Sequence, residues 1–94
     1  MTEKPETHFL METADDGTVA LRLSHAAKEE FKTVQWIEMP QVGKTVGMNE
    51  ALIAIESTKA IFELESPLTG DILEVKISPE APLELLIRIQ PTVC

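Results

Sequence analysis

Lys59 is the residue of this chain best placed for chemistry, because of what surrounds it. The pentapeptide Glu56-Ser57-Thr58-Lys59-Ala60 separates two strand-like runs, Ala51 to Ile55 and Ile61 to Leu64. Runs joined by so few residues form a β-hairpin, which puts Lys59 at or beside its tip. An amine held out on a rigid turn, with the small neighbours Thr58 and Ala60, can be acylated by one enzyme and then present the attached group to others. An exposed hairpin lysine is also an ordinary solvated residue, and the pentapeptide alone leaves both readings open. Glu56 and Glu63, which flank the lysine at a short distance in sequence, have two readings as well. They either present the lysine to a basic enzyme surface or form the solvated outer face of an acidic hairpin.

Other residue types offer less. His8 and His25 have no Cys or His partner at a zinc-ligand spacing. Ser24 and His25 are adjacent, and sequence neighbours seldom face each other as a nucleophile and its base must. There is no G-x-G-x-x-G or phosphate loop. Cys94 is the single cysteine, so no internal disulfide and no oxidising compartment is implied.

The elements that must hold the lysine are short. His8 to Thr13 and Thr18 to Leu23 read as strands around Asp15-Asp16-Gly17, an Asp-Gly hairpin signal. Val19, Leu21 and Leu23 alternate with Ala20 and Arg22, so one face of that strand is expected to be buried. Ser24 is positioned to cap a helix from His25 to Lys32, with Ala27 and Phe31 inward. From Val34 the period returns to two, and Val34 with Trp36 is taken as the inward face. Gly47-Met48-Asn49 and Ser66-Pro67-Leu68-Thr69-Gly70 read as turns; Leu73 to Ile77 and Leu83 to Ile89 read as the last strands. Gly70 is expected to hold a positive φ. Pro40-Gln41-Val42-Gly43 and Pro67-Leu68-Thr69-Gly70 share P-x-x-G, a weak internal repeat. Many short strands with regularly spaced turns indicate a barrel or sandwich.

Composition bounds the function. Residues 1–94 read as one domain, too small for an enzyme with a buried multi-residue site. One Trp, three Phe and no Tyr point to an aliphatic core. A net charge of −8 argues against nucleic acid and suits either steering towards basic partner surfaces or solubility alone. No apolar run approaches a membrane span, and the first residues resemble neither a signal nor a transit peptide, so a cytoplasmic, bacterial protein is expected.

The stretch Val42 to Val75 carries Gly43-Lys44-Thr45-Val46, Glu50, Ile55-Glu56-Ser57-Thr58-Lys59-Ala60, Ser66-Pro67-Leu68-Thr69-Gly70-Asp71-Ile72 and Glu74-Val75. It resembles the lipoyl-bearing core of the glycine cleavage system H-protein family, whose motif reads E-S-V-K-A followed by S-P-x-S-G-E-V. A looser similarity extends through Leu23 to Pro40. The resemblance implies a mainly β fold, a barrel-sandwich hybrid of two quasi-equivalent sheets with one short helix. It implies lipoate bound covalently to Lys59, with Glu56, Ser57, Thr58, Ala60 and Glu63 helping to present that lysine. It also implies a non-enzymatic carrier, expected to be a monomer. Its swinging arm would shuttle aminomethyl, acyl or reducing equivalents between partner enzymes. The implied partners are a lipoate ligase or lipoyl/octanoyl transferase and the glycine cleavage P, T and L proteins. Biotin carriers usually flank their lysine with methionines, and Thr58 and Ala60 stand there instead.

Departures from the family fall on the cleft that shelters the loaded arm. The family's S-H-E-W segment is matched by Thr7-His8-Phe9-Leu10, so Phe9 replaces an acid. Glu30 stands where some members have a histidine, and Glu63 matches the acid after the lysine. On this reading the family's C-terminal helix is expected to be missing, and the segment between Val75 and Leu86 to be shortened. Two alternatives therefore accompany the carrier reading. One is an H-like lipoate donor or carrier for a non-glycine pathway; the other is an unmodified acidic β-sandwich that binds a partner.

Overall fold

Gly17 sets the first turn. Its φ of +90° lies in the left-handed region that a β-carbon disfavours. It joins β1 (Phe9–Thr13) to β2 (Val19–Leu23) antiparallel, with Phe9 opposite Leu23 and Thr13 opposite Val19. This computed structural model describes residues 8–92, so Lys4, Thr7 and Cys94 lie outside it. Val19, Leu21 and Leu23 are buried as their alternation predicts. Ala20 is buried as well, because the longer side chains of Glu12 on β1 and Arg88 flank it in register.

Ser24 caps α1 (His25–Glu30), its Oγ accepting the Ala27 N–H at 3.1 Å. The helix ends before the expected Lys32. Phe31 leaves helical geometry at φ −109° while its N–H still donates to the Ala27 carbonyl at 2.9 Å, and its ring enters the core. Six strands follow: β3 (Val34–Glu38), β4 (Thr45–Val46), β5 (Ala51–Ser57), β6 (Ile61–Glu65), β7 (Gly70–Ser78) and β8 (Ala81–Pro91).

All pairings are antiparallel, in a five-stranded sheet ordered β1-β2-β8-β7-β4 and a three-stranded sheet ordered β3-β5-β6. Leu21 and Leu23 from β2, Ile55 from β5, Ile72 from β7, and Leu85, Ile87 and Ile89 from β8 meet in one aliphatic core. Each such side chain contributes roughly 1.5–3 kcal/mol by burial, which is what holds the two sheets together. The mainly β barrel-sandwich with one short helix is thus the observed architecture.

Two further sequence expectations are corrected by the structure. Trp36 is 65% exposed, and it is Ile37, at 6%, that points inward from β3. Glu38 shares a face with Trp36, and burying an unpaired carboxylate costs more than leaving an indole in water. Gly70 is not among the described residues with positive φ, which are Gly17, Gly43 (+94°) and Asn49 (+72°). Its need for glycine is steric: a β-carbon there would sit against the Gln90 carbonyl oxygen and 2.6 Å from Ile89 Cγ2. The two glycines of the P-x-x-G repeat therefore serve different ends, conformation at Gly43 and close strand approach at Gly70.

A polar chain ties the first turn to the outer surface of the large sheet. Asp16 Oδ1 accepts from Thr18 N–H at 3.0 Å and Thr18 Oγ1 at 2.7 Å. Arg88 donates through Nη1 to Thr18 Oγ1 and through Nε to Glu74 Oε1, both at 3.3 Å. The Thr18 hydrogen bonds hold the Asp16 carboxyl below its ordinary range, and the Arg88 hydrogen bond, then the charge of Lys76, does the same for Glu74. A depressed folded pKa adds stability that is present above the unfolded value and lost as pH falls through the folded one. The urea midpoint is therefore expected to decline below about pH 4, where free carboxylates begin to titrate. A double variant, Asp16→Asn with Glu74→Gln, should flatten that decline; an unchanged acid limb would contradict the linkage.

Candidate functional site

The β5–β6 hairpin is built around Ser57. Glu56 pairs with Ile61, Ile55 with Phe62 and Ala54 with Glu63, and the Ser57 N–H donates to the Ala60 carbonyl at 2.9 Å. This leaves Thr58 and Lys59 as the two residues of the turn. Two-residue hairpin turns usually require positive φ, yet neither residue has it, and threonine's branched β-carbon would resist it. A serine side chain supports the bend instead. Ser57 Oγ accepts the N–H groups of Lys59 and Ala60, each at 3.3 Å, so it bridges the turn much as a backbone group would. Ser57→Ala is expected to lower the urea-derived stability by about 0.5–1 kcal/mol, since water can replace an exposed acceptor. A loss of several kcal/mol would show that the serine does more than brace the turn.

Thr58, Lys59 and Ala60 are all exposed. Among the described residues the Lys59 amine has no ion-pair partner, whereas Lys28 is tied to Glu84 at 2.9 Å and Lys76 to Glu74 at 3.5 Å. A covalently tethered carboxylic acid needs a primary amine with open approach and small neighbours, and Lys59 meets those requirements.

An aromatic series supports the hairpin from beneath, which the sequence reading did not anticipate. The Phe31 ring, buried just after α1, lies 5.2 Å from Phe62 on β6 and 5.7 Å from His8. His8 Nε2 stands 3.4 Å from Glu30 Oε1. Phe62 shares its strand parity with the buried Leu64, and this was the available signal that it faces the helix. The series fixes the arm's base to α1 and to the start of β1.

Of the residues expected at the site, Glu56, Ser57, Thr58, Lys59 and Ala60 are contiguous on the hairpin end, while Glu63 lies further down β6. Glu63 lines a groove of about 250 Å³ with His8, Phe9, Asn49, Glu65, Ser66 and Pro67. Phe9 is buried in the core, so it adds no polar group to that groove, and Glu30 is drawn to His8 instead. On its other side Glu63 borders a groove of about 400 Å³ that also carries Glu38, Glu50 and Lys44. No helix among the described residues is long and apolar enough to cross a membrane.

Two antiparallel sheets around one core, with an open lysine on a hairpin turn, define the fold class of the biotinyl/lipoyl-type domains. Within that class the chain belongs to the glycine cleavage H-protein family, whose profile matches residues 2–84. A probable glycine cleavage system H protein of Thermococcus kodakarensis is 38% identical over 79 residues, covering 84% of this chain and 59% of that protein. A glycine cleavage system H protein of Psychrobacter is 30% identical over 80 residues, covering 85% of this chain and 64% of that protein. The chain thus spans about three-fifths of the length of these curated relatives. A crystal structure of an H protein from Mycobacterium marinum superposes with a TM-score of 0.73 at 26% identity, covering 92% of this chain and 80% of that one.

Proposed function

We propose that residues 1–94 act as one lipoyl-carrier domain of the H-protein type, non-catalytic in itself, with Lys59 as the attachment site. The observation that supports this most strongly is the braced turn: an exposed, unpaired lysine between Thr58 and Ala60, held by Ser57, in a chain of this family. Lys59 Nζ, once deprotonated, attacks the carbonyl carbon of an activated lipoyl donor, an acyl-adenylate or acyl thioester. The amide bond forms, the bond to the leaving phosphate or thiol breaks, and the amine's remaining extra proton passes to a base. A ligase or a lipoyl/octanoyl transferase supplies that donor. Lipoate attached to Lys59 would supply dithiolane chemistry for group or electron-pair transfer, and the tether would raise its effective concentration at partner enzymes. The protein's part is placement: Ser57 holds the turn, Phe62 and Phe31 hold the hairpin, and Glu56 and Glu63 colour its surroundings negative.

The partners we assign are the P, T and L proteins of glycine cleavage, acting in the cytoplasm. Intact mass after coexpression with a lipoate ligase and, separately, a biotin ligase tests the assignment. A gain of one lipoyl group with the first ligase alone is expected. A biotinyl gain, or none with either ligase, would count against it.

A further inference from the structure

The outer face of the small sheet carries the two most exposed large hydrophobic side chains among the described residues, Trp36 and Ile61. In register across its strands lie Trp36, Glu56 and Ile61, and in the next row Glu38, Ala54 and Glu63. Directly paired residues on adjacent strands share a face, with β-carbons about 5 Å apart. The six side chains therefore form a checkerboard: each apolar residue is edged by carboxylates and each carboxylate by apolar groups. Trp36 is 65% exposed and Ile61 is 66% exposed, and the upper row lies directly below the Lys59 turn. An open tryptophan on this edge strand contributes nothing to the core. Large aromatic side chains in such positions are the usual anchors of protein interfaces.

We infer that this face is the docking surface for the enzyme that acylates Lys59, through an apolar patch of that enzyme rimmed by Lys and Arg. The inference rests on the reading of Lys59 as the acylated residue. Two features select this occupant. Charge is the first: Glu38, Glu56 and Glu63 edge the patch on a chain of net charge −8. A second copy would set three carboxylates against three, and like charges oppose such a pairing. Reach is the second. A bare lysine extends only the length of its four-carbon stem, so an enzyme that must bring the Lys59 amine to its reacting carbonyl has to cover the tip and the row beneath it. An enzyme that meets the loaded arm can stand further off.

The test is the rate at which a purified lipoate ligase, with lipoate and ATP, modifies the full chain, followed by intact mass over a range of carrier concentrations. Trp36→Ser and Ile61→Ser are each expected to raise KM about ten-fold with kcat near the wild-type value, as loss of an interface anchor does. Trp36→Phe should recover most of the loss, and Glu56→Lys should raise KM while weakening its salt dependence. Trp36 and Ile61 are exposed, so the variants should keep the wild-type circular dichroism. If one does not fold, the other and Glu56→Lys carry the same test. Wild-type KM in folded Trp36→Ser and Ile61→Ser variants would overturn the docking face while leaving the carrier reading intact. Self-association of the wild type that disappears in Trp36→Ser would overturn it in favour of a second copy. A wild-type chain that the ligase never modifies would overturn both readings.

Discussion

A Lys59→Arg chain coexpressed with a lipoate ligase is expected to keep its unmodified mass, while the wild type gains one lipoyl group. The effect should be complete rather than graded. Arginine preserves the positive charge on the turn, but its guanidinium stays protonated and is no acyl acceptor. Nothing in the fold depends on the amine, because among the described residues it has no ion-pair partner. The melting temperature should therefore stay within a few degrees, as exposed substitutions shift stability by about 0.5 kcal/mol or less. Peptide mapping is the second readout. Lys28 and Lys76 are held by Glu84 and Glu74 on regular elements, and neither they, Lys32 nor Lys44 stands on a serine-braced turn. Lipoyl found on any of them in the variant would remove Lys59 from its assigned role.

Gly70→Val should produce the largest loss of stability of any single substitution considered. Gly70 sits between Val46 on β4 and Pro91 on β8 in the large sheet. An added β-carbon would meet the Gln90 carbonyl and Ile89 Cγ2, the first of them main chain that cannot swing aside. Ile89 is fully buried, so its retreat would disturb the core. Overpacking of this kind costs about 3 kcal/mol or more, which for a chain of this size is a fall on the order of 15 °C in melting temperature. Gly70→Ala should already show most of it, because the clash begins at the β-carbon. Gly43→Ala is the informative contrast. Its β-carbon would meet nothing within 4 Å, and its cost comes only from the positive φ, about 1 kcal/mol. Equal losses at the two positions would refute the steric account of Gly70.

The hairpin, its lysine and the capped helix were legible in the chain because each rests on local chemistry. An Asp-Gly turn, a serine before a helix and two apolar runs separated by Glu56-Ser57-Thr58-Lys59-Ala60 act within a few residues of themselves. The P-x-x-G repeat was visible too, but not its meaning, since one glycine answers to its own φ and the other to a strand that arrives some twenty residues later. Trp36 shows the same limit. Period two in Val34 to Met39 states that two faces exist without stating which meets the core, and hydrophobicity alone favoured the larger residue. The register of β3 on β5 decided it, placing Ile37 opposite Ile55 in the interior and Trp36 opposite Glu56 outside. Likewise, Phe31, Phe62 and His8 are far apart in sequence and meet only because the fold brings Phe31, just past the end of α1, against the hairpin and the start of β1. Local propensity set what each segment is and where the amine stands. Non-local pairing decided what supports that amine and which side chains are left beside it for a partner, because register moves whole rows of residues from one face of a sheet to the other.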